Sequence, residues 1–298
     1  MQISPEPVSL TPGQRRELAE KTVTCPFMGS AVSEGALLVL NTMADPLASV
    51  KDVLTLGNSG GGDLGDLLIL FAKTRHVLMG GTDGSLSLRV PMDLFSLEFP
   101  GSQGAHPGHS GILMGDPRRR ETGAWNEINF ERLKAHQSDG FLKRSSVGKF
   151  IAENLDRDDQ SKVIDTDVLL AIARDAVELT VAAGSAAVSR IFGFPTSSDA
   201  ATFAAEDKFT ALLDESNLIG SAGEFSLLFA FLHNSPKTDQ NMDGEIALSM
   251  VDVERMFREK RLPDNWHSWR KTRSDAVAHM AALVTAAVAE LVRLKIVD

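Results

Sequence analysis

Apolar positions recur every three to four residues along most of this chain, the period of a helix with one buried face. Such runs lie at about 46–55, 64–74, 127–137, 145–156, 166–190, 199–216, 222–233, 249–259 and 274–294. Thr11-Pro12 before GQRRELAEK predicts a further helix, with a hydroxyl N-cap and proline in its first turn. Another begins after Cys25-Pro26, with Phe27, Val32, Leu37, Leu38 and Val39 as its core candidates. Only SLSLRVPMDLFSLEF, at 85–99, alternates as a strand or hairpin does. The pattern predicts a mainly α fold with a minor β-ribbon. No internal repeat and no compositional break divides residues 1–298, so a single domain is expected. In the last helix Val277, Met280, Ala281, Val284, Val288 and Leu291 form one stripe. That stripe serves equally as core packing or as a dimer seam, which leaves the oligomeric state open.

Loops rich in glycine and proline interrupt the helices at 57–66 (GNSGGGDLGD), 99–111 (FPGSQGAHPGHSG) and 234–244 (NSPKTDQNMDG). Such loops are where a helical scaffold displays chemistry. The Gly57–Gly65 cluster lacks the Lys-Ser/Thr pair of a phosphate-binding loop, and a turn leading into an Asp63-capped helix accounts for it better. DQNMDGEI matches the start of a calcium loop through Asp239, Asn241, Asp243 and Gly244, but Ala247 and Met250 stand at its ninth and twelfth positions. A polar turn is the simpler reading.

Composition narrows the chemistry. The 298 residues carry 30 Lys plus Arg against 40 Asp plus Glu, and a net charge of −10 argues against nucleic acid, whose phosphates need a concentrated cationic face. A 43% apolar content is enough for a sizeable core. The single cysteine, Cys25, excludes an intrachain disulfide and multi-cysteine metal clusters, and the absence of tyrosine removes phenolate chemistry. The N-terminus lacks a basic segment followed by an apolar one, and the longest apolar stretches, 31–40 and 280–292, are short or broken by Glu34 and Glu290. A cytoplasmic protein without a membrane span is expected.

Three places could carry catalysis. A cysteine before Pro26 at a helix start can hold its sulfur near unpaired backbone N–H groups, which favour the thiolate as nucleophile or haem ligand. The bland alternative is an inert core residue. His106 and His109, in AHPGHS, sit on an irregular loop as ligands or as surface residues. Ser221-Ala-Gly-Glu224 has the form of a capping box. Its glutamate also sits among Phe225, Leu227, Leu228 and Phe229, where an apolar environment makes a carboxylate a candidate proton shuttle.

Taken in order, these pieces resemble the haem-thiolate chloroperoxidase and unspecific peroxygenase family, also called peroxidase family 2. That family has a Pro-Cys-Pro haem-ligand motif, then Glu-His-Asp followed by Ser, then a catalytic Glu opening an apolar helix, then a segment like RLP-x-GW. This chain has Thr24-Cys25-Pro26, then Ala105-His106-Pro107-Gly108-His109-Ser110, then Gly115-Asp116 and WNEINFERL. Gly223-Glu224 and RLPDNWHSW at 261–269 follow, so that the resemblance spans about residues 25–272.

The resemblance implies a mostly helical chloroperoxidase-like fold that binds haem b through the Cys25 thiolate as axial iron ligand. It also implies Glu224 as the acid–base between the two peroxide oxygens and His106 as the distal residue that positions it. Ser110 then follows on the cofactor side. Ala105 replaces the family's carboxylate ligand for magnesium or manganese and has no donor for such an ion, while Pro107 replaces the aspartate that would orient the histidine. His109 or Gln103 is the candidate for the propionate side. The implied activity is peroxide-driven oxidation or oxygenation of a small apolar or aromatic organic substrate. Two alternatives remain at this point. One is a haem-thiolate tailoring enzyme of secondary metabolism that rearranges or dehydrates without peroxide. The other is a haem-less helical interaction protein.

Overall fold

The computed structural model describes residues 6–23, 25–44, 46–65, 67–68, 94–96, 126–157 and 217–294. His106, His109, Ser110 and Ala105 lie outside the described residues, as do the helices expected at 166–190 and 199–216.

Helix α1 (Pro12–Lys21) starts where Thr11 and Pro12 predict it. The Thr11 hydroxyl accepts from the Gln14 amide at 3.3 Å while the Gln14 side chain accepts from the Thr11 amide at 3.0 Å, a reciprocal cap. Helix α2 (Pro26–Glu34) packs on α1 and ends at Gly35, whose φ of 75° closes the last turn. Phe27, Val32, Leu37 and Val39 are buried as expected, but Leu38 is 53% exposed because it follows the αL break and leaves the buried face.

Residues 46–55, expected as one helix, divide in two. Strand β1 (Leu40–Asn41) pairs antiparallel with β2 (Pro46–Ser49), and helix α3 runs only over Val50–Gly57. The Ser49 hydroxyl caps α3 by accepting from the Asp52 amide at 3.0 Å, which sets the boundary four residues late. The expected ribbon is present in part as β3 (Leu94–Ser96), the third strand of this sheet, in register with Leu47 to Ser49.

Past α4 (Glu127–Ala135), a second three-stranded antiparallel sheet was not anticipated. Its order is β4 (Phe141–Lys143), β6 (Glu245–Ser249), β5 (Asp239–Met242). The would-be calcium loop is the β5–β6 hairpin. Asp243 and Gly244 both have positive φ, 53° and 85°, the requirement of a tight two-residue turn, and Met250 opens the next helix.

The long helices form the main layer: α5 (Arg144–Arg157), α6 (Asn217–Leu232) and α8 (Arg273–Arg293), with α8 packed on both others. Arg144 acts on His279 at one end of the α5–α8 pair and Glu153 on Arg293 at the other, so these two run parallel. Phe225 meets Phe150 while Phe229 meets His279, so α6 runs the opposite way. Met280, Val284, Val288 and Leu291 are buried, but Ala281 faces out. Among the described residues α8 is the one helix long and apolar enough to cross a bilayer, with a mean hydropathy of 1.6. Half of that stretch is buried against protein, and Glu290 within it is held by Arg293 at 2.5 Å. One apolar core runs from Leu18 to Leu291 through all of these helices. Helix α7 (Met250–Phe257) closes it beside α2, where the Ser30 hydroxyl reaches the Met256 carbonyl at 3.0 Å.

Candidate functional site

Cys25 is the N-cap of α2, with extended backbone (φ −77°, ψ 119°). Pro26 supplies the preset φ of the first helical residue; the Cys25 side chain makes no cap hydrogen bond, but the nearby backbone amides of Phe27 and Met28 favour its thiolate. The helix start expected for this cysteine is thus present, but its electrostatic outcome is the reverse of the expectation. Burial pushes the Cys25 thiol up, and this outweighs the two amides. Glu224 pushes it up further, and Lys260 pulls it down.

Glu224 is not at a helix N-terminus. Helix α6 starts at Asn217, so Ser221 lies inside it and the anticipated capping box does not form. Glu224 and Phe231 are seven residues apart, about two turns, and therefore share a face. Phe231 lies against Phe27 with ring centroids 4.0 Å apart, which turns that face of α6 toward the start of α2. The influence of the half-buried Glu224 on Cys25 agrees with this placement. Two of the anticipated site residues are therefore brought together; the histidines are not among the described residues.

The third wall comes from the RLPDNWHSW segment. Trp266 meets Phe27 edge-on at 5.9 Å and stacks on Phe231 at 6.2 Å. Neither a family model nor a curated protein sequence matches this chain. The aromatic wall, the thiol and the carboxylate must be read on their own chemistry.

Two buried lysines, Lys260 and Lys271, carry no marker in the sequence that sets them apart from surface lysines. Lys260 is 1% exposed, because a positive φ of 53° turns it inward after α7. Burial lowers its pKa to about 8, with Glu20 and Cys25 opposing. Lys271 is fully buried, 5.2 Å from the Trp266 ring and 5.4 Å from that of Phe231.

The glycine turn sits on this same segment. The amides of Asp63 and Leu64 donate to the Lys271 carbonyl at 2.9 and 3.2 Å. Asp63 was expected to cap its own helix; instead its carboxylate accepts from the Arg273 amide at 2.8 Å and pairs with the Arg273 guanidinium. A side chain on Gly62 would lie 1.9 Å from the Lys271 carbonyl oxygen, so only glycine permits the contact.

The haem implied by the resemblance can be tested against the donor set at Cys25. A half-buried thiol that resists ionisation gives up its proton outright to a bound metal cation, and backbone N–H groups close to the sulfur tune such a ligand. Those features fit a thiolate-ligated iron. Among the described residues no group of three or more His, Cys, Asp or Glu side chains could hold a metal ion.

Proposed function

We propose that this chain is a haem-thiolate oxidoreductase that uses peroxide to oxidise or oxygenate a small apolar or aromatic organic molecule. The observation that carries the reading is the placement of Cys25 as the N-cap of α2, within electrostatic reach of the Phe27 and Met28 amides and of Glu224.

When bound, haem supplies peroxide activation, and thiolate donation favours O–O cleavage. Cys25 would hold the iron through sulfur, and the dipoles of the nearby Phe27 and Met28 amides would moderate its donation. Glu224 is the group that takes a proton from one peroxide oxygen and returns it to the other. His106 is assigned to steady that carboxylate. Phe27, Phe231 and Trp266 exclude water and match an apolar substrate. The proposal includes no magnesium or manganese ion, since Ala105 offers no ligand.

The test is haem titration of the purified chain. A red-shifted Soret band of the reduced carbon monoxide complex is expected, lost in Cys25→Ala. In Glu224→Gln the band should persist while peroxide turnover falls by about 10²-fold or more. A wild-type chain without that band, or a Cys25→Ala variant that keeps it, overturns the reading.

A further inference from the structure

Lys271 makes contacts that the redox reading does not use. Its Nζ lies 2.7 Å from the Trp266 carbonyl, 2.8 Å from the Trp269 carbonyl and 2.8 Å from the Ser59 hydroxyl, with the Ser59 carbonyl farther off at 3.4 Å. Ser59 itself is half-buried and opens the Ser59–Gly61 turn. It is followed by Gly60 and Gly61, both exposed and both at positive φ, 72° and 75°.

We propose that Ser59 and Lys271 form a serine–lysine acyl-transfer dyad, in which Ser59 is the nucleophile and Lys271 its general base. An amine whose two N–H bonds are taken by the Trp266 and Trp269 carbonyls turns its lone pair to the third neighbour, the Ser59 hydroxyl. This is the arrangement of an activated nucleophile: an oxygen within hydrogen-bond reach of a base that other groups hold in place. Burial pushes Lys271 down to about 8, so the neutral amine is accessible near neutral pH. The charged or titratable side chains on the adjoining described segments are Asp63, engaged by Arg273, and the exposed Arg270 and His267. None of them contributes to the shift, whose cause is burial alone.

In the reaction, Ser59 Oγ bonds to the carbonyl carbon of an ester as its proton passes to Lys271 Nζ. The bond to the leaving alkoxide then breaks as Nζ returns the proton to it. Water repeats the sequence, freeing the carboxylic acid and restoring the serine. The Gly60 and Gly61 amides are the adjacent donors for the developing oxyanion. The half-buried Trp266 indole beside Lys271 favours an ester with an apolar acyl or aryl group.

This site does not depend on haem at Cys25, and its test runs on the full chain as purified. The probe is a fluorophosphonate, with the modified peptide located by mass spectrometry. Labelling on Ser59 is expected to rise with pH to a plateau, with a midpoint near 8. It should be absent in Ser59→Ala and about 100-fold slower in Lys271→Arg, which keeps the cation and cannot act as base. A folded wild-type chain without a Ser59 adduct between about pH 6 and 10, a rate flat across that window, or wild-type labelling in Lys271→Arg overturns the proposal. Should Lys271→Arg fail to fold, the wild-type pH profile and Ser59→Ala decide it.

Discussion

His233 Nδ1 and His279 Nε2 lie 3.0 Å apart where the end of α6 meets α8, and the outer nitrogen of His279, Nδ1, is buried without a hydrogen-bond partner. Burial, then His233, then Arg144 push His279 down to about 3. The unfolded chain therefore takes up a proton near pH 6.5 that the native protein refuses until about 3. Stability contributed by the neutral imidazole is present above about 6.5 and drains away as pH falls, by at most about 1.4 kcal/mol per unit. Urea unfolding of wild type and His279→Leu from neutral to acid pH should show the gap between them shifting in favour of the variant. A constant gap would mean that the pair does not titrate with folding.

Lys260 gives the alkaline counterpart with the opposite reagent. Its native pKa of about 8 lies below the ordinary lysine value of 10.5, so the unfolded chain binds the extra proton between those values. Stability therefore rises with pH across that window, and Lys260→Met should lack the rise while being at least as stable near pH 7. With no tyrosine in the chain, no phenol titrates there. Cys25, whose burial-raised thiol works the other way and feels Lys260, is replaced by serine in both proteins so that their difference reports the lysine. Chemical denaturation of the pair at a series of pH values is the measurement.

Helix starts with a chemical marker could be read from residues alone: Thr11 with Pro12, Cys25 with Pro26. The second sheet could not, because its strands are three to five residues long and β4 pairs with β6 across about a hundred positions, Leu142 with Leu248. The polar turn read at 239–244, once Ala247 and Met250 argue against a calcium loop, is the β5–β6 hairpin turn, with Asp243 and Gly244 both at positive φ. The Ser221–Glu224 box failed because α6 begins four residues earlier, and tertiary packing on α8 makes helix of residues that local capping would leave outside. Lys271 was illegible because charge normally marks the surface; here the Trp266 and Trp269 carbonyls, the Ser59 hydroxyl of a distant turn and two aromatic rings replace water.

The glycine turn separates crowding from backbone strain. Gly61 has φ 75° and open space for 4 Å around the point where a Cβ would stand, so Gly61→Ala should cost about 1–2 kcal/mol for the left-handed conformation alone. Gly62→Ala would drive its Cβ into the Lys271 carbonyl at 1.9 Å, and the two segments must part. We expect the second substitution to cost about 3 kcal/mol or more, and to expose the Asp63 and Leu64 amides to faster hydrogen exchange. Equal losses in the two variants would show that the contact is not a constraint.

Ser30 links the thiol helix to the rest of the core. Its buried hydroxyl lies 2.9 Å from the Pro26 carbonyl in its own helix and 3.0 Å from the Met256 carbonyl in the last turn of α7. The Met256 carbonyl is one of the last in that helix, where no intrahelical amide follows to claim it. Ser30→Ala leaves it buried with a lost donor, a cost of about 1–3 kcal/mol. Because Pro26 is the residue after Cys25, the same bond helps fix where the sulfur points. Urea unfolding should therefore show the stability loss, and haem titration a weaker affinity than wild type. Ser30→Thr, which keeps the hydroxyl but adds a methyl beside a filled core, should restore neither fully, whereas Ser30→Cys, close to isosteric with a weak donor, should fall between wild type and alanine. Loss of stability with unchanged haem affinity would confine Ser30 to holding α2 against α7 and remove it from the positioning of Cys25.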